Sequence, residues 1–317
     1  HLKLYDKFTE FSERALRRTD TGHAPWHLIE AADRRYRELT AGQLLLQAIQ
    51  QKLRELPKTK PAPSPESAPS LRGARARARG GITILDHVDL SQRLGDKTYE
   101  AQLAKYQSRL TRLSWAAWQK KVASVAVFEG WDAAGKGSAV RRVTAALDPR
   151  LYRIVPIAAP TDEERAQHYL WRFWRHLPRA GMMTIFDRSW YGRVLVERVE
   201  RFATEPEWGR AYLEINDFEE QLAEGGIVVS KFWLHISKDE QLRRFELRKE
   251  VAFKRYKITA EDWRNRERWD AYKAAINDMV AHTSSRLAPW TLVAGNDKKF
   301  ARVQILKTLC QHLESAL

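Results

Sequence analysis

Residues 125–143, VAVFEGWDAAGKGSAVRRV, decide the fold because they read as a buried strand, a glycine-rich turn and the beginning of a helix. The strand prediction covers residues 122–128, a short and almost wholly apolar run that is typical of a parallel strand covered on both faces. Strand–helix alternation along the rest of the chain predicts a three-layer α/β domain with a doubly wound parallel five-stranded sheet. The other predicted strands are residues 152–158, 182–187, 226–236 and 290–294, and the predicted helices are residues 98–121, 136–147, 161–176, 189–202, 209–224, 238–250, 260–282 and 297–315.

The turn after the strand fits a phosphate-binding loop with one departure. The pattern Gly-x4-Gly-Lys-Ser/Thr places Ser or Thr, the usual Mg²⁺ ligand, directly after the lysine, but Gly137 stands there and Ser138 comes one residue later. Backbone N–H groups and a helix N-terminus attract anions, so the strand before and the helix after suit a phosphate cradle. A glycine-rich turn with an incidental lysine is the alternative. The predicted phosphate-binding residues are Gly130, Ala133, Ala134, Gly135, Lys136, Gly137 and Ser138.

Two aspartates are predicted to replace the missing hydroxyl as metal ligands. Asp132 lies inside the loop, where phosphates would repel its carboxylate unless a cation bridges them. Asp187 ends the apolar run MMTIFD, the position of a Walker B carboxylate. A solvent-facing Asp132 and a helix N-cap at Asp187 are the alternatives. Arg188 and Arg193 follow at once, near the strand ends where a transferred phosphate would lie.

Composition narrows the class of partner. The 317 residues carry a net charge of +15, which favours a polyanion: nucleic acid, an anionic membrane or a phosphate polymer. The chain has no apolar run long enough to span a bilayer and no signal peptide, so no membrane association is expected. One cysteine, Cys310, excludes a disulfide framework and favours the cytoplasm.

The two ends of the chain are similar to each other. Residues 1–53 align without a gap on residues 265–317, placing Ala-Pro-Trp at 24–26 on Ala-Pro-Trp at 288–290, although chance remains the alternative. We therefore predict that residues 1–56 are the C-terminal tail of a preceding tandem copy, with a helix–strand–helix order, and that residues 82–317 are a complete domain. The Pro/Ala/Arg-rich residues 57–81 are expected to form a disordered linker. The chain begins with His, not Met, which suggests a fragment of a longer protein.

Four motifs resemble the polyphosphate kinase 2 family over about residues 85–315. They are FEGWDAAGKGS, FDRSWYGRVLVERV, EERAQHYLWRFWRHLPRAG and RNRERWDAYKAAINDMVAHTSSRLAPW, in the order and spacing of that family. Gly is the normal residue of the family at position 137. The partial leading copy resembles the tandem-domain members, which are polyphosphate:AMP phosphotransferases.

The resemblance implies a P-loop kinase-like domain with roles for particular residues. Asp132 and Asp187 would act around Mg²⁺, with Mn²⁺ as the alternative ion. Lys136 would contact phosphate, and Arg188 and Arg193 would clamp the charge that develops during transfer. A helical lid is implied at residues 241–263, and its basic residues Arg244, Arg248, Lys254 and Lys257 would contact polyphosphate.

The expected function is Mg²⁺-dependent phosphoryl transfer between inorganic polyphosphate and a nucleoside monophosphate, from AMP to ADP and reversibly. Three alternatives stay open: an ATP-dependent nucleoside monophosphate kinase, a polyphosphate kinase acting on nucleoside diphosphates, and a basic polyanion-binding module without catalysis. Nucleic acid is disfavoured as the partner because carboxylates beside phosphates weaken binding unless a metal is wanted. Glu164 and His168 are weaker candidates for contacts to the acceptor nucleotide, and an oligomer is left open.

Overall fold

A five-stranded parallel sheet forms the centre of the fold. A computed structural model of the chain describes residues 4–55, 83–250 and 258–317. The strand order is β2-β3-β1-β4-β5, with every neighbouring pair parallel. The strands are β1 (Ser124–Gly130), β2 (Tyr152–Pro156), β3 (Met183–Asp187), β4 (Val228–His235) and β5 (Trp290–Ala294).

Strand β1 is the middle strand, as the opening motif predicts. It pairs with β3 through Ala126 and Ile185 and with β4 through Ala126 and Ser230, and all its residues except Gly130 are buried. A strand that is covered on both faces must be apolar on both, which explains its continuous hydrophobic run. The loop at its carboxyl end therefore begins at the centre of the sheet edge, where open α/β sheets bind ligands.

Helices cover both faces of the sheet and confirm the three-layer prediction. On one face α3, α4 and α12 pack together, and on the other α7, α8 and α11 pack together. The helices are α1 (Tyr5–Thr19), α2 (Arg34–Glu55), α3 (Asp96–Lys120), α4 (Lys136–Thr144), α5 (Asp162–Arg165), α6 (Trp171–Trp174), α7 (Val196–Val199), α8 (Glu205–Glu224), α9 (Lys238–Glu250), α10 (Ala260–Glu267), α11 (Trp269–Thr283) and α12 (Lys298–Ala316).

Two predicted long helices are wrong. Residues 161–176 form only the four-residue helices α5 and α6, and residues 189–202 form a 3₁₀ turn followed by the short helix α7. In the first segment Gln167, Tyr169 and Arg172 all line one cavity, a spacing that no single helix face provides. Of the aromatic residues in this segment, Tyr169 and Phe173 line the cavity and Trp171 and Trp174 do not, so their spacing does not mark one face of a long helix.

The first unit of the chain consists of two helices. The described residues divide into two compact units, with residues 4–55 in the first and those from 83 onward in the second. The strand predicted between its helices is absent: residues 20–33 contain only an isolated bridge between Thr21 and Ala24. A strand requires a hydrogen-bonded neighbour, and none pairs with this segment within the described part of the chain. The predicted linker at 57–81 lies outside the described residues.

Within the described residues, every helix is too short or too polar to span a bilayer.

Candidate active site

The loop after β1 has the backbone geometry of an anion cradle. Ala133 and Gly135 both have positive φ, 60° and 110°, and α4 begins at the next residue. Alternating backbone conformations of this kind turn successive N–H groups toward one side, where they form a concave anion site. Gly130 is required for another reason: a Cβ there would lie 2.7 Å from the backbone oxygen of Leu234 on β4.

Lys136 and Ser138 both line the cavity beside this cradle, but their side chains have different partners. The Lys136 Nζ donates to the backbone oxygens of Gly130, at 2.5 Å, and Trp131, at 3.3 Å. The Ser138 Oγ accepts from the guanidinium of Arg302 on α12, at 2.7 and 3.1 Å. The hydroxyl that follows the lysine one residue late is therefore bound to α12.

Asp132 is held by Asn265, which lies in one of the quoted motifs but was not predicted as a site residue. Its Oδ2 accepts from Asn265 Nδ2 on α10 at 2.9 Å, and Asn265 Oδ1 accepts from Tyr272 Oη on α11 at 3.2 Å. The Tyr272 hydroxyl also lies 3.3 Å from the buried carboxylate of Glu200. These linked hydrogen bonds fix the orientation of the Asp132 carboxylate from the side of α10 and α11.

Asp187 ends β3 beside the loop, and Arg188 and Arg193 follow it in different positions. Arg188 has a positive φ of 66° and donates its backbone N–H to the Phe128 oxygen of β1 at 3.2 Å. Arg193 pairs with Glu197 at 3.2 Å and stacks over the Tyr169 ring at 4.6 Å. The structure therefore brings Arg188 to the phosphate loop and Arg193 to the neighbouring cavity.

Glu129, the residue before Gly130, joins the phosphate loop to the segment after β3. Its carboxylate is buried and accepts from Ser189 Oγ at 2.8 Å. Burial raises the pKa of Glu129, while the nearby charges of Lys136 and Arg188 oppose that rise. Glu129 was not predicted as a site residue. Its position at the end of a predicted parallel strand, beside the glycine loop, could have identified it as one, because such strand ends meet at one edge of the sheet.

Two cavities meet at this edge. The first, which we call the aromatic cavity, has a volume of about 820 Å³, and the second, the basic cavity, about 760 Å³. The described residues that line both are Trp131, Asp132, Lys136, Ile157 and Arg188.

The basic cavity follows the phosphate loop and carries most of the local positive charge. Asp132, Asp187 and Asp262 are the acidic residues among its described lining. The basic residues in that lining are Lys136, Arg141, Arg142, Arg188, Arg244, Arg248, Lys298 and Arg302. An excess of eight basic residues over three acidic ones favours a ligand with several negative charges.

The aromatic cavity is balanced in charge. Five basic residues in its described lining face five acidic ones, and Glu164 is among the latter, paired with Arg172 at 3.2 Å. His168 lies 3.6 Å from Glu214 and does not line the cavity. The aromatic residues of the lining are Trp131, Tyr169, Phe173, Trp190, Phe202, Trp233 and Tyr272.

The four predicted lid residues fall into three groups. Arg248 lines the basic cavity from the last turn of α9. Arg244 also borders that cavity, but only 3% of its side chain is exposed and its guanidinium donates to the backbone oxygens of Ala133 and Ala134, so its contacts differ from those expected of a lid surface. Lys254 and Lys257 lie outside the described residues.

Two aspartates beside the phosphate loop offer carboxylate oxygens, which are suitable ligands for a divalent cation. Among the described residues no cluster of three or more His, Cys, Asp or Glu side chains could hold a metal ion. Mg²⁺, however, is commonly bound through one or two carboxylates plus substrate phosphates and water. Asp132 and Asp187 both line the basic cavity beside the phosphate loop, so two carboxylates are available there for such an ion.

A phosphate loop at the end of a central parallel strand, with a second carboxylate on the adjacent strand end, defines a P-loop kinase fold. The chain belongs to the polyphosphate kinase 2 family, whose model matches residues 1–57 and 93–317. The matched relatives include the polyphosphate:AMP phosphotransferases of Pseudomonas syringae pv. tomato, 55% identical, and Pseudomonas aeruginosa, 54% identical. Each alignment covers 99% of this chain and 62% of the relative, so the chain spans less than two thirds of their length.

A solved structure is similar over the same extent. The crystal structure of a polyphosphate kinase 2 from Pseudomonas aeruginosa PA01 matches with a TM-score of 0.84 and 54% identity, over 99% of this chain and 64% of that one. The resemblance that the motifs carry is thereby confirmed as family membership. Kinases of this family generally need a divalent metal.

Proposed function

We propose that the domain transfers a phosphoryl group between inorganic polyphosphate and a nucleoside monophosphate, forming ADP from AMP and reversibly. The observation that carries this proposal is the meeting of the two cavities at Asp132, Lys136 and Arg188. A transferred group must be reached from both sides, by the donor and by the acceptor. The shared residues mark that point.

The basic cavity suits the polyphosphate donor. A linear phosphate polymer presents about one negative charge per phosphate, as a nucleic-acid backbone does, and the cavity extends its basic lining well beyond the loop. An ATP donor would place three phosphates and a nucleoside there, and among the described residues of this lining Trp131 is the single aromatic residue offered to the nucleoside.

The aromatic cavity suits the nucleotide acceptor. Its rings offer surfaces on which a base can stack, and Arg193 reaches it from the turn after β3. The related polyphosphate:AMP phosphotransferases support AMP as the acceptor. We extend that acceptor to this chain as part of the proposal.

The residues shared by the cavities would promote transfer by neutralising and orienting phosphates. An oxygen of the AMP phosphate attacks the terminal phosphorus of the polymer, the bond to the bridging oxygen breaks, and the polymer leaves shortened by one phosphate. Lys136, Arg188 and the loop N–H groups bind the phosphate oxygens whose charge must be stabilised. Asp132 and Asp187 would hold Mg²⁺, or Mn²⁺, which neutralises charge on the transferred group when bound.

We also propose that residues 1–56 are a partial copy of the end of the domain. In the sequence alignment of residues 1–53 with 265–317, the bounds of α1 (Tyr5–Thr19) coincide with those of α11 (Trp269–Thr283). The two helices differ in burial: α1 has no buried residue, and its Phe8 is 72% exposed, whereas the aligned Tyr272 of α11 is 9% exposed. The family match to residues 1–57 supports the same interpretation.

A cytoplasmic location is part of the proposal as well. Cys310 is buried as a free thiol, and burial raises its pKa to about 11, so it is an unreactive core residue. A chain with one inert cysteine suits a reducing compartment.

Asp132→Asn tests the proposed function. With AMP, Mg²⁺ and polyphosphate we expect ADP formation to fall by about 10²-fold or more, because the neutral amide is a poor metal ligand. The matched control is Asp162→Asn, since 95% of the Asp162 side chain is exposed and it lies outside both cavity linings. Circular dichroism checks that both variants fold. Near-full turnover of Asp132→Asn would show that the loop carboxylate has no part in the reaction.

A further inference from the structure

Arg244 on α9 uses its whole guanidinium to bind two loops. Its Nη1 donates to the backbone oxygens of Ala133 and Ala134, both at 2.9 Å. Its Nη2 donates to those of Gly295, at 2.6 Å, and Asn296, at 2.9 Å. Its Nε donates to Glu240 Oε1 at 2.5 Å. The five N–H donors of an arginine are thus matched by five acceptors.

The acceptors in the phosphate loop are the carbonyls that the cradle itself leaves exposed. Where backbone N–H groups turn inward toward an anion, the carbonyls of the same peptides turn outward and need partners. Ala133 has a left-handed φ of 60°, which costs about 1 kcal/mol or more for a residue other than glycine. Hydrogen bonds to the Ala133 and Ala134 oxygens stabilise this conformation.

The other two acceptors lie in the loop that joins β5 to α12. Gly295 and Asn296 precede Lys298, the first residue of α12, which lines the basic cavity. The Asn296 side chain in turn accepts from the backbone N–H of Ser237, after β4, at 3.0 Å. Arg244 therefore connects the loops after β1 and β5, the two that carry Lys136 and Lys298.

We propose that Arg244 is a positioning residue that preorganises the phosphate loop and fixes the β5–α12 loop beside it, without contacting the polymer. This inference rests on the proposed function for the identity of the donor. Arg244 borders the basic cavity, but its side chain is 3% exposed and its five N–H donors are occupied by four backbone oxygens and Glu240. A preorganised cradle loses no free energy to reordering when phosphate binds, which strengthens both donor binding and charge stabilisation during transfer.

Arg243 provides a matched control on the same helix. It binds the same carboxylate, with its Nε 2.7 Å from Glu240 Oε2, but its side chain is 59% exposed and it contacts neither loop. Arg244→Lys and Arg243→Lys therefore remove the same planar group and retain the charge. An ammonium cannot bridge both loops as the guanidinium fork does, so only Arg244→Lys should release them.

The test combines hydrogen exchange with kinetics. In Arg244→Lys we expect the amides of residues 131–138 to exchange about tenfold faster and kcat/KM for polyphosphate to fall about tenfold or more. Arg243→Lys should stay within about twofold of the unmodified protein in both measurements. Unchanged loop exchange in Arg244→Lys, with or without a loss of activity, would overturn the proposal.

Arg244→Gln separates positioning from direct contact with the polymer, and it avoids burying an unpaired ammonium. A residue that binds polymer phosphate lowers the slope of log binding constant against log salt by about 1 when its charge is removed. We expect an unchanged slope for polyphosphate binding to Arg244→Gln, together with faster loop exchange. A slope reduced by about 1 would assign Arg244 to the polymer surface. Loss of cooperative unfolding in both variants would make Arg244 a residue of the general fold and also overturn the proposal.

Failure of the proposed function would be seen separately. If the unmodified protein forms no ADP from polyphosphate, the donor assignment is wrong, whereas the exchange comparison between the Arg244 and Arg243 variants still decides the role of Arg244.

Discussion

Trp131, in the phosphate loop, is held by three aromatic residues of neighbouring elements. Its ring stacks on Trp269 with centroids 3.7 Å apart and planes 7° apart, and it meets the edge of Trp233 at 5.9 Å. Its Nε1 donates to Nδ1 of His235 at 3.0 Å, so that nitrogen must be unprotonated in order to accept the hydrogen bond. The protonation state of His235 is therefore linked to the position of the loop.

The folding stability should depend on the protonation of His235. Burial lowers the pKa of His235 to about 4, against about 6.5 when unfolded. The unfolded chain binds the proton more readily, so the contribution is present above pH 6.5 and is lost as the pH falls toward 4. We expect protonation of this residue to lower the free energy of unfolding by about 2–3 kcal/mol between pH 7 and pH 4, which urea unfolding measures.

His235→Gln is the control for that pH dependence. The amide oxygen of Gln can still accept from Trp131 but does not titrate, so the variant should lose less stability between pH 6.5 and 4. Equal losses in both proteins would show that His235 is not the group responsible.

Sequence reasoning located single residues where position along the chain determines their place in the fold. Lys136, Asp132 and Asp187 follow the ends of predicted parallel strands, and such ends meet at one edge. Asn265 and Arg244 gave no such signal, because their partners lie 133 and 111 residues away and depend on how helices pack. A cluster of basic residues indicates a polyanion, but only packing decides which of them reaches it.

A buried ion pair joins four elements around the turn after β3. Lys231 of β4 donates to Glu219 Oε2 of α8 at 2.6 Å and to the Thr283 backbone oxygen of α11 at 2.7 Å. The turn contributes Tyr191, whose hydroxyl donates to Glu219 at 2.6 Å, and Trp190, whose indole N–H donates to Glu219 at 3.0 Å. This network fixes the segment that carries Arg188 and Arg193.

Lys231→Met should destabilise the domain strongly. Removing one partner leaves the buried carboxylate of Glu219 without its counter-charge, which typically costs 3–5 kcal/mol. Urea unfolding measures the loss. The double variant Lys231→Met/Glu219→Gln should recover much of it, because a neutral amide still accepts from Tyr191 and Trp190. A double variant no more stable than Lys231→Met would argue against the charge as the cause.

Strands were easier to predict than the segments that line the cavities. The predicted strand at 290–294 has the observed bounds, and that at 182–187 differs from β3 by one residue. Apolar runs between turns identify buried strands, because burial on both faces leaves few other compositions. Residues 161–176 and 189–202 are also rich in aromatic residues, but some of these rings lie in the core and others line the aromatic cavity. Their spacing suggested long helices that the structure does not contain.

At the scale of the molecule, the charge surplus and the two cavities support the same reaction. The chain has a net charge of +15, the described lining of the basic cavity is strongly basic, and that of the aromatic cavity is balanced. A polymeric donor and a small aromatic acceptor would each meet a matching surface. Residues 251–257, in the predicted lid, lie outside the described part of the chain.

The most direct test of the proposed donor is a comparison of polyphosphate and ATP as sole phosphoryl donors. AMP and Mg²⁺ are supplied in both reactions, and adenylate kinase is excluded by a blank from a mock purification. Initial rates of AMP consumption are measured over a range of donor concentrations, because transfer from ATP yields two ADP and transfer from polyphosphate yields one. We expect kcat/KM with polyphosphate to exceed that with ATP by at least about 10²-fold. Each tenfold difference corresponds to about 1.4 kcal/mol of transition-state stabilisation. ADP formation from ATP alone, with none from polyphosphate, would contradict the assignment.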